Sequence, residues 1–271
     1  MDKLSYQYLD HDFDPEHTGD YTLLMQADEA QFTVAVTDQH KLLLLSNPLS
    51  SGALSGSGEG TELLFRDYSQ RIAGLSFTGF TIIPLSLFNP EKTADFARFL
   101  DVKPDEKVFS QPLDDANQVI FKAGEKLVSA VGGKFSTRNI VFAARGWITA
   151  VAENNPPHTS LYLNLMSNKV DVLNFSDNKL RFYNRFGFGN ADELAYFISL
   201  AAHELQLQPQ ELSLVVSGDV THGDDNISRL SDFFGKVEIN DLQLTGLPEQ
   251  VDPHSVLSLT ALALCASSVA H

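Results

Sequence analysis

Residues that could do chemistry fall in a few short clusters. His11, Asp12, Asp14 and His17 combine imidazole and carboxylate, the ligand types a divalent metal uses. They stand near the amino terminus without an apolar frame, and the plainer expectation is a solvated acidic tail. His222, Asp224 and Asp225 follow Gly218 and offer a second cation set. A polar turn in which Asp224 or Asp225 caps the next helix accounts for them and is preferred. His203-Glu204 begins the pattern of a zinc-protease helix, but Leu207 stands where the second histidine belongs. Gly132-Gly133-Lys134 begins the end of a phosphate loop, but Val128 replaces its first glycine and Phe135 its hydroxyl. No Gly-x-Ser-x-Gly elbow occurs, and Cys265 lies in an apolar stretch that reads as a core helix. Phe182, Tyr183, Phe186 and Phe188 could stack a ligand or engage a partner, and alternation with Arg181, Asn184 and Arg185 suits a strand with one buried face.

These clusters must be held by a chain of 271 residues, 43% of them hydrophobic, enough for one large or two medium domains. Its 19 Lys and Arg against 35 Asp and Glu give a formal charge of −16, so the mean field repels phosphate backbones and anionic membranes. The basic pairs Lys122 with Lys126 and Lys134 with Arg138 are interrupted by apolar residues, and nucleic acid is not an expected partner. One cysteine cannot close an intrachain disulfide. The opening MDKLSYQYLDHDFDPEH has no apolar core of signal-peptide length, and no window approaches the roughly 18 apolar residues of a spanning helix. The nearest, Val256 to Ala270, is short and holds Ser and Thr. A cytoplasmic location is the expectation, in which the Asn-x-Ser matches at Asn174 and Asn226 carry no meaning.

Tyr21 to Met25, Phe32 to Val36 and Lys41 to Leu45 read as a three-stranded meander with turns at Asp28-Glu29 and Asp38-Gln39. A Gly/Ser stretch from Ser51 to Gly60, with no lysine, reads as a flexible loop. It leads into a helical pattern with Leu64, Phe65, Tyr68 and Ile72, stopped by Gly74. Phe80 to Ile83 is a strand, and Asn89-Pro90 supplies an N-cap and first-turn proline for a helix through Phe96, Phe99 and Leu100. Strand and helix then repeat: Val119 to Phe121, Glu125 to Val131, Ile140 to Phe142 and Trp147 to Ala152. Asn154-Asn155-Pro156-Pro157 marks a boundary. Beyond it the meander returns as Leu161 to Leu165, Lys169 to Phe175 and Leu180 to Asn184, with turns at Ser167-Asn168 and Asp177-Asn178. A helix capped by Asn190 with Glu193 three residues on carries Leu194, Phe197, Ile198, Ala201 and Leu205 at helical spacing. Leu212 to Val216 is a buried-type strand ending in Ser217-Gly218, followed by a helix near Ile227 to Phe234 and a strand at Val237 to Ile239.

Two copies of meander, helix and strand imply an α/β protein of duplicated topology. The order resembles the actin-like ATPase fold of sugar kinases, heat-shock ATPases and bacterial cytoskeletal proteins, in which two ribonuclease-H-like lobes, each a mixed sheet flanked by helices, clasp a nucleotide. Tyr162 to Val220 and Phe80 to Glu91 resemble an uncharacterised Bacteroidetes family, a domain of unknown function with that fold. On this resemblance residues 1–20 are an amino-terminal extension, 21–155 the first lobe with its connecting units, and 156–271 the second lobe.

Active members of the wider fold place an acid and glycines in the first hairpin of each lobe, so that backbone approaches phosphate while the carboxylate holds hydrated magnesium. The first hairpin here, Gln26-Ala27-Asp28-Glu29-Ala30, has carboxylates and no glycine. The second, Asn164-Leu165-Met166-Ser167-Asn168, puts Asn164 at the acid position with no glycine after it. Ser217-Gly218-Asp219, at the place of a paired-glycine strand end, keeps one glycine and adds a carboxylate that repels triphosphate unless a metal bridges them. The resemblance therefore implies a vestigial nucleotide cleft around Asp28, Asn164, Ser167, Ser217, Gly218 and Asp219, in a non-catalytic protein that acts through an unidentified protein partner. The alternative is a divergent ATP-binding protein or ATPase using those residues. ATP and magnesium are not the favoured cofactors, and no catalytic residue or metal ligand is assigned.

Overall fold

The computed structural model describes residues 5–55, 62–133, 135–221 and 223–268. Gly56 to Gly60 of the Gly/Ser stretch, Lys134, His222 and the end of the carboxyl-terminal apolar run lie outside the described residues. Two compact units emerge: the residues up to Gly146 together with those from Leu259 on, and Trp147–Ser258.

In the first unit β1 (Tyr6–Leu9), β2 (Thr22–Ala27), β3 (Gln31–Thr37), β4 (Leu42–Ser46), β5 (Leu49–Ser50), β6 (Gln70–Leu75) and β10 (Ile140–Phe142) form a sheet of order β1-β4-β3-β2-β6-β10, with β5 pairing β3. The expected meander is β2 to β4, and both its turns are closed the same way. Asp28 Oδ1 accepts from the amides of Ala30 and Gln31 at 2.7 and 2.8 Å, and Asp38 Oδ1 from those of His40 and Lys41 at 2.7 Å each. A short carboxylate folded back on its own turn is what makes Asp a turn former. Leu23, Met25, Val34, Val36 and Leu44 then meet Leu54, Leu64 and Ile140 in one buried core.

Three expectations for this unit are corrected. The periodic Leu64, Phe65, Tyr68 and Ile72 do not form one helix: Glu62–Phe65 is a 3-10 turn, and Ile72 lies in β6, parallel to both β2 and β10. The run Ile72-Ala73-Gly74-Leu75 is buried, and a strand enclosed on both faces carries no alternation to separate it from a helix. Gly74 is no helix stop; a β-carbon there would lie 2.9 Å from Leu262 Cδ2. Ser51–Ser55, read as flexible loop, is a 3-10 turn with Leu54 buried. The amino-terminal stretch is not a free tail either, since β1 pairs with β4.

A second, three-stranded sheet of order β7-β9-β8 comprises β7 (Gly79–Pro84), β8 (Glu106–Pro112) and β9 (Asn117–Gly124). Asn89 caps the short helical run containing α1 (Thr93–Ala97), whose Phe96 and Ala97 pack with Leu100 on Ile83 and Ile120. Phe109, Phe121, Phe142 and Phe77 form an aromatic ladder joining this sheet to β10, with successive centroids 5.0, 5.3 and 4.5 Å apart. The Gln111 carboxamide donates to Ile140 O at 2.6 Å and accepts from Phe142 N at 3.1 Å, pairing with β10 as a neighbouring strand would. Helix α2 (Glu125–Gly132) follows β9, and α3 (Arg145–Glu153) follows β10.

The second unit holds β11 (Ser160–Met166), β12 (Lys169–Ser176), β13 (Lys179–Gly187), β14 (Ser213–Gly218) and β15 (Lys236–Ile239) in the order β13-β12-β11-β14-β15. Asp177 and Asn178 both adopt positive φ, 52° and 57°, as a two-residue hairpin of matching twist requires. Helix α4 (Ala191–Glu204) opens with the expected reciprocal cap: Asn190 Oδ1 accepts from Glu193 N at 2.9 Å and Glu193 Oε2 from Gly189 N at 2.8 Å. Its Leu194, Ile198, Ala201 and Ala202 pack on Leu163, Leu165, Val170 and Val216. Asp224 caps α5 (Asp225–Ser231) through Ile227 N at 2.8 Å. Helix α6 (Pro253–Thr260) runs into a 3-10 segment, Ala261–Ser268, which packs on β6 and β2. The carboxyl-terminal segment, expected with the second lobe, thus completes the core of the first, and the compact units divide at Gly146 rather than at Asn154–Pro157. Gly146 permits that return, because a β-carbon there would overlap the Ala261 carbonyl. Among the described residues no helix is long and apolar enough to cross a membrane.

Candidate functional site

The residues expected around a nucleotide divide between the units. Asp28, in the first, stands at the tip of the β2–β3 hairpin, and its carboxylate is committed to the two tip amides described above, while its own N–H donates to Gln31 O at 2.9 Å. An anion arriving at this tip meets a carboxylate already seated on the N–H groups.

In the second unit the register brings four expected residues to the carboxyl ends of β11 and β14. Asn164 lies beside Ser217 and Leu165 beside Gly218. Ser167 is exposed in the β11–β12 turn. Gly218 has φ of +90°, and a β-carbon there would overlap the Leu165 carbonyl oxygen. Its glycine is demanded by the close approach of two strands, a reason that needs no ligand. The Asp219 N–H donates to Leu165 O at 2.9 Å, and the Gly218 carbonyl lies 3.3 Å from His254 Nδ1. The Asp219 N–H, one a phosphate would use, is thus bound to the neighbouring strand.

Sequence reasoning missed the polar residues that surround Asn164. Asp171, directly opposite it on β12, is 1% exposed and takes Arg185 of β13 in a two-pronged pair, Nε to Oδ1 at 2.6 Å and NH2 to Oδ2 at 2.8 Å. On the other side Ser217 Oγ accepts from Asn240 Nδ2 at 3.1 Å. Asn164 itself is 4% exposed, and its Oδ1 has no hydrogen-bond partner among the described residues. A buried acceptor left so costs about 1–3 kcal/mol. A single acid between Val170 and Val172 was a visible signal in the sequence. Its partner was not: a bulge at Asn174/Phe175 shifts the hairpin register, putting Arg185 rather than Asn184 opposite Asp171.

The other clusters resolve into local structure. His11 and Asp12 join buried Asp10 around Lys41, whose Nζ lies 3.0 Å from Asp10 Oδ1 and 2.6 Å from Asp12 Oδ2. The Tyr8 hydroxyl, the Asp12 amide and Lys41 hold the Asp10 carboxyl well below its usual range. Asp14 and His17 pair separately at 2.7 Å. An ammonium therefore stands among the acids a metal would need. Burial pushes the Cys265 thiol up to about 11, as for a core thiol rather than a nucleophile. Phe186 stacks on Phe197 of α4 with centroids 5.1 Å apart, while buried Tyr183 lies on the other side of β13, so both faces of that strand are used.

A solved protein from Bacteroides thetaiotaomicron, described as having an actin-like ATPase fold and unknown function, matches with a TM-score of 0.79. It is 16% identical, and the match covers 93% of this chain and 99% of that one. A chain of the PilM–PilN type IV pilus biogenesis complex matches at 0.61 and 14% identity, covering 90% and 98%. No curated protein matches the sequence. The likenesses establish an actin-like ATPase fold, with two ribonuclease-H-like lobes. The model of a family described as protein of unknown function (DUF3822) matches residues 10–237, and the chain belongs to that family.

Proposed function

We propose that this chain is a non-catalytic, cytoplasmic member of the actin-like fold that works by binding another protein. The observation that carries the reading is the Asp28 carboxylate seated on the amides of Ala30 and Gln31, where a phosphate would need them free. The second unit supports it: Gly218 and Asp219 are engaged with Leu165 and His254, and Asp171 is neutralised by Arg185. Large apolar side chains at the surface suit a protein that makes contacts, with Phe99 84% exposed, Leu87 70% and Tyr196 63%. The occurrence of a PilM chain in a complex with PilN is compatible with such a role.

Calorimetric titration and thermal unfolding with Mg-ATP test the proposal. The expected outcome is no saturable heat and no melting shift at millimolar nucleotide. A melting rise that grows with ligand as mass action requires, together with turnover, would replace it by the divergent ATPase reading around Asp28, Asn164, Ser167, Ser217, Gly218 and Asp219.

A further inference from the structure

One polar row crosses four strands of the second sheet and ends just past the fifth. Arg185 on β13 faces Asp171 on β12, Asp171 faces Asn164 on β11, Asn164 lies beside Ser217 on β14, and Asn240, just past β15, reaches Ser217. Leu163, Leu165, Val170, Val172 and Val216, the alternate residues, point into the apolar core on the opposite face. Asp171, Asn164, Ser217 and Asn240 are each 7% exposed or less, and the Arg185 side chain is 11% exposed.

Both ends of the row are closed. Arg185 and Asp171 satisfy one another, and Asn240 donates to Ser217 while its Oδ1 accepts from Leu242 N at 3.0 Å. The formal charges cancel. At the centre the Asn164 carbonyl oxygen is unpartnered among the described residues, and the Ser217 hydroxyl, having accepted from Asn240, has a proton to give. A group fitting this place donates to a carboxamide oxygen, accepts from a hydroxyl and brings no charge. A hydroxyl does all three. An ammonium or metal ion cannot accept, and a phosphate would add a second anion beside Asp171.

The geometry assigns to the centre of this row a binding site for one neutral hydroxyl group, between Asn164 Oδ1 and Ser217 Oγ, supplied by water or by an uncharged polyol. This goes beyond the proposed function and stands whether or not nucleotide binds elsewhere.

Crystals grown without polyol, and a second set soaked in glycerol, test it at a resolution that places single oxygen atoms. The expected result is one peak about 2.6–3.2 Å from both Asn164 Oδ1 and Ser217 Oγ. An isolated peak in both sets identifies water, and a peak continuous with a three-carbon chain in the soaked set identifies the polyol hydroxyl. No peak in either set overturns the assignment, as does a peak ringed by oxygens at roughly 2.0–2.4 Å, which marks a cation. In Asn164→Leu, close in volume but without the acceptor, the peak is expected to disappear, and its persistence would also overturn the assignment. Should that variant not fold, Asn164→Ser serves, with the peak expected to move toward the shorter side chain and a peak left at the original position counting against the site. A Mg-ATP melting shift with the hydroxyl peak intact would remove only the non-catalytic reading, and a flat titration with no peak only this one.

Discussion

Single residues decide whether the strand ends of the second unit can do anything but close on themselves. Gly218 combines φ of +90° with a carbonyl against its α-carbon, so Gly218→Ala must both strain and displace backbone. A loss of about 3 kcal/mol or more is expected from urea unfolding. Arg185→Met leaves Asp171 a buried carboxylate without its counterion, and about 3–5 kcal/mol of destabilisation is expected by the same measurement. Arg185→Met with Asp171→Leu should recover most of it, because removing both partners leaves no buried charge. The resemblance to the actin-like fold placed Asn164, Ser217 and Gly218 in one cluster, and the pairing of β11 with β14 brings them together. The sequence was silent on Arg185, because a bulge is one residue of slack that no residue type declares.

At the scale of elements, hairpins and capped helices were readable because their signals are local: an aspartate bonding its own turn, an asparagine bonding the next amide. Strands β6 and β8 were not. The first is buried on both sides, and the second, half-exposed along its length, has no alternation of apolar and polar residues. Yet β8 carries a buried ion pair, with Glu106 Oε2 2.8 Å from Lys122 Nζ and side chains 7% and 8% exposed. The Lys103 amide, Lys122 and the Thr78 hydroxyl bring the Glu106 carboxyl down from 4.5 to about 2. A carboxyl so depressed contributes stability that is complete above its unfolded value and is lost as pH falls through the folded one. The stability difference between the native chain and Glu106→Gln should therefore be level above about pH 4.5 and shrink toward about pH 2. Chemical unfolding across that range checks it; a difference that is flat throughout would mean the pair does not anchor β8.

For the whole molecule, the two-lobed plan was legible in the repeated meander, and the path of the last residues was not. Val256 to Ala270 was expected with the second lobe, because a run of Ser, Thr and apolar side chains carries no sign of which core it covers. What assigns the segment to the first unit is shape: Gly74 leaves the space that Leu262 fills, and Gly146 lets Ala261 pass. Leu262→Ala is expected to cost about 2–5 kcal/mol, with hydrogen exchange rising first in β2 and β6, the strands this segment covers. An increase confined to the second unit would count against that placement. Such a route also sets a schedule during synthesis. The ribosome makes most of the first sheet early but delivers its covering layer only after all of Trp147–Ser258 has emerged. The nascent second unit can fold while the first still waits with apolar β2 and β6 uncovered, so that interval is when this chain is most exposed to aggregation or to capture by a chaperone.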